Sequence, residues 1–262
     1  MLKWALRIVL IVVLLAVIAA GVLMVYLDRL AATVLTEGIE AVGEAPCQVE
    51  RVHVSLWEGL AVIDGLSILN PGGYPDGKML DASRVNVRMR VGSLWDQPLD
   101  IHQLELVEPM IRVEPGEGGS NIGVFVANVQ HNLGLEDQIR MRVDKLLVRD
   151  ATICFGGGIG NGDLMRIPLA GLELSNIHGP EGKGLTAGEL SAAILMELVR
   201  NAVQAGDIEL ESIIPPEVLK GLDTIMIVPS TILKSAVNMF KGPLEVLLGS
   251  RPSLPTTAGS DE

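Results

Sequence analysis

The chain has 262 residues, a formal net charge of −12 at pH 7 and an apolar content of 48%, with aromatics at only 3%. Its length allows one large or two small domains beyond the first thirty or so residues, and its aliphatic, ring-poor make-up argues against a pocket lined with aromatic rings. With no Lys/Arg cluster beyond the N-terminal residues, the acidity excludes nucleic acid as a partner and broad adhesion of the body to an anionic leaflet.

Ile8–Leu27 holds twenty residues without a charge, enough at helical rise for roughly the 30 Å of a bilayer core. Trp4 and Tyr26 flank it with amphipathic rings. Lys3 and Arg7 precede it, and Glu37, Glu40 and Glu44 follow. This asymmetry predicts a cytoplasmic N-terminus and places the remaining chain across the membrane. The expectation is a single-pass transmembrane anchor over residues 1–29, held by Trp4, Ile8, Tyr26 and Leu27. The alternative is a cleaved signal peptide with Val17 and Ala19 before a cut at Ala20. Against it, the apolar run exceeds the usual length of about 7–15 residues, and no polar cleavage region follows.

Over residues 30–46, Leu30, Val34, Leu35, Ile39 and Val42 recur at helical spacing. They predict an amphipathic helical connector stopped by Gly43 and Pro46.

Residues 47–180 read as a β-rich domain with the alternation of half-buried sheet. Val52, Val54 and Leu56 alternate with Arg51, His53 and Ser55. Leu60 and Val62, then Leu66 and Ile68, form a second run in which Asp64-Gly65 suggests a turn or bulge. Asn70-Pro71-Gly72-Gly73 is a strong turn signal. Val85, Val87, Met89 and Val91 make the clearest alternation. Leu104–Leu106 and Ile111–Val113 follow, separated by Glu108-Pro109, which would interrupt a central strand. Ser120-Asn121 can cap a short helix carrying Ile122, Phe125, Val126, Val129 and Leu133 and ending at Gly134. Strands are predicted for Met141–Phe155 and Ile167–Ile177, on either side of the glycine-rich Gly156–Gly162. Leu104–Val113 resembles Leu146–Phe155, and Gly65–Asn70 resembles Gly171–Asn176, so the sheet reads as repeated strand modules.

Residues 181–250 change character. Thr186 with Glu189 forms a capping box, and Leu190, Ile194, Leu195, Leu198 and Val199 supply a buried helical face ended by Gly206. Pro215-Pro216 can open another short helix. Ser230 can cap a further amphipathic one with Leu233, Val237 and Phe240, which Pro243 breaks or kinks. The polar tail, residues 251–262, is expected to be disordered.

Convergent chemistry is sparse. His53, His102, His131 and His178 form no HExxH or i, i+4 pair, so no metal site is assigned. Gly156–Gly162 matches no phosphate-binding pattern, and there is no GxSxG elbow. Asp81, Glu105, Glu108, Asp144 and Asp150 are scattered as on a solvated sheet face. No catalytic, cofactor-binding or metal residue is assigned, no cofactor is expected, and the chain is read as non-enzymatic. Cys47 and Cys154 can pair in an oxidising compartment or sit separately as small buried hydrophobes.

The succession of anchor, strand pair with an Asn-Pro-Gly turn (Gly65–Gly73), Val85–Leu94, the Glu-Pro-x-Ile-x-Val-Glu pattern near Ile111, and Gly119-Ser120-Asn121-Ile122 resembles the AsmA family of bacterial envelope proteins. The resemblance covers about Leu2 to Phe155. It implies an inner-membrane protein with a periplasmic body curved into an apolar groove, and a role in lipid homeostasis or outer-membrane biogenesis. The fold class expected is α+β: an N-terminal transmembrane helix, then a curved, mostly antiparallel sheet, with amphipathic helices of the C-terminal third packed on it. Candidate groove residues are Val52, Val54, Leu66, Ile68, Val85, Val87, Met89, Val91, Ile111 and Val113. Their faces form either an open trough for phospholipid acyl chains or an ordinary covered core. The partners expected are the inner-membrane bilayer, acyl chains and other envelope proteins. A different reading makes the chain an anchored scaffold module that handles no lipid.

Overall fold

The computed structural model describes residues 2–116, 119–132, 139–156, 165–179 and 182–206. The second and third C-terminal helices expected from sequence, including Ser230–Gly249, lie outside them, as does most of the Gly156–Gly162 loop.

Among the described residues ten strands and three α-helices follow in the order α1 (Leu2–Gly43), β1 (Cys47–Gln48), β2 (Arg51–Ser55), β3 (Leu60–Leu69), β4 (Lys78–Met89), a 3-10 turn (Val91–Trp95), β5 (Leu99–Val107), β6 (Met110–Val113), β7 (Pro115–Gly116), β8 (Gly119–Ser120), α2 (Asn121–His131), β9 (Met141–Phe155), β10 (Met165–Ile177) and α3 (Ala187–Gly206). Eight strands form one α+β sheet in the order β1/β2, β3, β4, β5/β6, β9, β10, while β7 and β8 pair separately.

The sheet is mixed rather than nearly all antiparallel. β5 and β6 run parallel to β9 because α2 is a crossover connection, which parallel neighbours require. Glu108-Pro109 separates β5 from β6 as expected of a residue that cannot donate to a ladder, yet both halves keep the same two neighbours, β4 and β9. The two similar segments, Leu104–Val113 and Leu146–Phe155, lie side by side in matched register, Leu104 against Leu146 and Val113 against Phe155. Their corresponding residues Glu108 and Asp150 both have positive φ, 50° and 53°.

Those two residues belong to a row that crosses the sheet. Gly65 (φ 65°) on β3 and Gly171 (φ 152°) on β10 lie on it as well, since Gly171 faces Arg149 and Gly65 lies between the pairs Asp64–Arg84 and Leu66–Ala82. Across the row the buried positions change parity. Ala61 and Ile63 give way to Leu66 and Ile68, Leu80 and Ala82 to Val85 and Val87, Leu104 and Leu106 to Ile111 and Val113, and Leu146 and Val148 to Ala151 and Ile153. Alternation with period two ties each residue to one face. A common phase shift at one level therefore keeps the apolar face inward without disturbing the ladder. Asp64-Gly65 is thus neither a turn nor a bulge, and pairing continues through it.

The inward face is covered by helices. Ile39 and Val42 of α1, Ile122, Phe125, Val126 and Val129 of α2, and Leu190, Leu195, Leu198 and Val199 of α3 join the sheet residues in one buried cluster. Small residues let the helices approach: a Cβ on Gly188 would lie 1.7 Å from Val42 Cγ2, and one on Gly43 would lie 2.1 Å from the Phe125 ring. Caps set the helix starts. Ser120 Oγ accepts from Gly123 N–H at 3.0 Å. Thr186 and Glu189 form the reciprocal box, Thr186 N–H to Glu189 Oε2 at 2.7 Å and Glu189 N–H to Thr186 Oγ1 at 3.2 Å.

The transmembrane, single-pass expectation for Ile8–Leu27 is overturned. Among the described residues no helix is long and apolar enough to cross a membrane. From Asp28 onward α1 carries Asp28, Arg29, Glu37 and Glu40. One continuous helix, Leu2–Gly43, runs through the segments 1–29 and 30–46.

Candidate functional site

The predicted groove residues divide sharply. Val52, Val54, Leu66, Ile68, Val85, Val87, Ile111 and Val113 are buried, with Ile68 and Ile111 at 0% exposure. These residues belong to one buried cluster together with side chains of the helices over the sheet. Met89, the last residue of β4, is half-buried. Val91 departs from the expected strand: the ladder ends at Met89, and Val91 opens the 3-10 turn, exposed.

The outward face carries the polar ladder expected of a solvated sheet. Arg84 Nε donates to Asp64 Oδ1 at 2.8 Å, Lys145 Nζ pairs with Glu173 Oε1 at 2.8 Å, and Glu105 accepts from Asn86 Nδ2 at 3.3 Å and pairs with Arg149. These cross-strand pairs stabilise neighbouring strands modestly. The histidines stay apart. His53 Nδ1 is 3.6 Å from Asp28, His102 Nδ1 is 3.1 Å from Asp144, and His178 Nδ1 is 2.9 Å from the Gly179 carbonyl. Among the described residues no three His, Cys, Asp or Glu side chains gather as a metal site would need.

Cys47 and Cys154 are both free and buried. Burial, with a smaller push from the nearby Glu40 carboxylate, raises the Cys47 thiol to about 12. It is therefore neutral and unreactive at physiological pH.

Two acids on α1 serve the sheet edge. Asp28 Oδ1 accepts from Val54 N–H at 2.7 Å, and Glu40 Oε1 accepts from Cys47 N–H at 2.8 Å. The helix thereby satisfies donors that an open edge strand would offer to another chain. These contacts also fix the direction of α1. Asp28 lies beside the end of β2 and Glu40 beside β1, so the residues before Asp28 run on past the end of the sheet where β2 turns into β3.

That part of α1 exposes more large apolar side chains than any other described element. Leu10–Leu15, Ile18, Val22, Val25 and Tyr26 are each more than half exposed, and a shallow trough on the helix is lined by Ile18, Gly21, Val22, Val25, Tyr26 and Arg29. Trp4 is exposed and Leu27 half-buried, while the Ile8 side chain lies outside the described set. A contiguous apolar patch of this size marks an interaction site.

Further apolar residues are exposed that periodicity does not single out: Trp57, Leu94, Trp95 and Ile139. A signal was present. The chain has three tryptophans, and Trp57 and Trp95 stand within Trp-Glu-Gly and Trp-Asp-Gln, polar turn sequences where no core periodicity claims them. Both are 90% exposed.

No protein-family model matches the chain, and no characterised protein matches it either.

Proposed function

We propose that this chain is a lipid-contacting protein of the bacterial envelope. In this reading the exposed apolar side chains of α1 rest against acyl chains at a membrane surface without the helix crossing it, and the β-sheet body is held there as a scaffold that other envelope proteins meet. The observation that carries the reading is the run Leu10–Leu15 with Ile18, Val22, Val25 and Tyr26, each more than half exposed on one helix. At about 25 cal/mol per Å2, leaving such a surface in water is costly enough to demand an apolar partner. Apart from Tyr26 the run is aliphatic, which suits acyl chains, since they need no hydrogen-bond donor or acceptor. The AsmA-like order of elements supports placing the body on the periplasmic side of the inner membrane.

A trough in the sheet that receives acyl chains has less support. Eight of the ten residues assigned to it are buried beneath the helices, so lipid would have to displace α2 or α3. Helix motion of that kind breaks a packed core.

Vesicle flotation tests the proposal. The full chain should rise with phosphatidylcholine vesicles in a density gradient. The variant Leu14→Asp/Val22→Asp should stay at the bottom while keeping the β-sheet circular dichroism, because both positions are exposed. Wild-type protein that remains at the bottom as a folded species would overturn the reading.

A further inference from the structure

We infer that the end of the sheet from which α1 projects is a second lipid contact, an aromatic and aliphatic collar that seats on the interfacial layer of the bilayer and sets the orientation of the body. The inference rests on the proposal that α1 is taken up by lipid. It adds a surface which that proposal does not need.

Outside α1, the large apolar side chains exposed among the described residues are Trp57, Val91, Leu94, Trp95, Ile139 and Met165. All but Met165 lie at one end. Trp57 is in the β2–β3 turn, Val91, Leu94 and Trp95 are in the connection from β4 to β5, and Ile139 precedes β9. Strand direction puts these three connections together. β2 and β4 descend to this end, β3, β5 and β9 ascend from it, and the ladder pairs Ser55 with Leu60, Leu60 with Arg88, and Leu99 with Met141.

The connections touch and are held. Met89 N–H donates to the Gly59 carbonyl at 2.7 Å, and Leu99 N–H donates to the Arg140 carbonyl at 2.8 Å. A Cβ on Gly59 would come within 3.3 Å of Val91 Cγ2. Buried Ser93 ties down the 3-10 turn, donating through Oγ to the Arg90 carbonyl at 2.7 Å and accepting from Asp100 N–H at 3.0 Å. The turn's own backbone thus keeps Leu94 and Trp95 outside.

Continuity with α1 selects the occupant. Asp28 meets Val54 one residue before β2 ends, so the exposed apolar helix and the collar leave the body on the same side. A membrane surface that takes up the exposed side chains of α1 also meets the collar. Tryptophan, with an apolar body and one N–H donor, favours the boundary where one end is apolar and the other wet. Around the collar Arg29, Arg88 and Arg90, and Glu58 and Asp96, are exposed, and Arg90 pairs with the half-buried Asp100 at 3.3 Å. Their signs balance, so the contact is apolar and aromatic and requires no anionic headgroup.

Tryptophan fluorescence of the full chain on phosphatidylcholine vesicles tests this with two variants. Trp4→Phe/Trp95→Phe leaves Trp57 as the only indole, and Trp4→Phe/Trp57→Phe leaves Trp95. Each should shift to the blue on vesicle binding, lose emission when the lipid acyl chains are brominated, and become protected from iodide. Protein that floats with the vesicles while both indoles stay open to iodide and unquenched by bromine overturns the collar and leaves the α1 proposal standing. Protein that does not float overturns both. A blue shift that depends on protein concentration without vesicles assigns the surface to a second copy of the chain, and also overturns the lipid collar.

Discussion

Asn121 is fully buried and spends every hydrogen-bonding position it has. Its Nδ2 donates to Asn70 Oδ1 at 2.8 Å and to the Arg112 carbonyl at 2.9 Å, and its Oδ1 accepts from Glu114 N–H and Ile122 N–H, both at 2.9 Å. Asn70 in turn donates to the Pro75 carbonyl and Glu114 Oε2, both at 2.9 Å. The Asn-Pro-Gly turn and the start of α2, distant in sequence, are therefore one polar knot with a structural purpose. Asn121→Leu orphans two amide donors and two acceptors, and each buried unsatisfied group costs about 1–3 kcal/mol. Urea unfolding should show a loss of about 2–4 kcal/mol, at the upper end for a single substitution. Cys47 makes a pH prediction. Its folded-state pKa is raised from 9.0 to about 12, so above pH 9 the unfolded chain releases a proton that the folded chain retains. The contribution is intact below pH 9 and is lost progressively between pH 9 and 12. The unfolding midpoint of Cys47→Ala should accordingly fall less steeply than that of the wild type over that window.

At the scale of elements, alternation located the strands but could not say how they continue. Period two works only while every residue keeps an ordinary strand φ. The positive-φ residues Gly65, Asp150 and Gly171 stand where the parity reverses within β3, β9 and β10, and Glu108 stands where it reverses between β5 and β6. The similarity of Leu104–Val113 to Leu146–Phe155 was legible because each strand must make the same shift at the same level to stay paired. Whether the apolar face is a trough or a core was not legible, because the cover depends on α1, α2 and α3 returning over the sheet. That return hinges on close helix contacts. A Cβ at Gly188 would meet Val42 Cγ2 at 1.7 Å and Val42 Cβ at 3.2 Å, and Val42 is buried. Gly188→Ala should cost about 1–3 kcal/mol by overpacking. Trimming the opposing side chain in Gly188→Ala/Val42→Ala should recover part of it, giving a favourable coupling in a double-mutant cycle of thermal unfolding. Additive losses would mean that α1 and α3 are not in the contact described.

Taken whole, the molecule divides the labour of α1 at Asp28. From Asp28 to Gly43 the helix belongs to the body: its acids satisfy the β1 and β2 edge at Cys47 and Val54, and Ile39 and Val42 enter the core. Before Asp28 its described side chains are predominantly exposed and add little to the stability of the sheet. Two truncations should therefore behave in opposite ways. A chain lacking residues 1–25 should keep the thermal midpoint of the full chain and run as a smaller, less adhesive particle in size-exclusion chromatography, since its principal apolar surface is gone. A chain lacking residues 1–43 uncovers the N–H groups of the edge strand and the core beneath Ile39 and Val42. An uncovered edge templates pairing with other chains, so this form should aggregate even though it has lost the most apolar segment of the sequence. Hydropathy alone predicts the reverse order, with solubility improving as more of α1 is removed. Light scattering on the two forms decides between them: if the shorter chain stays monomeric, the edge contacts of Asp28 and Glu40 do not protect the sheet.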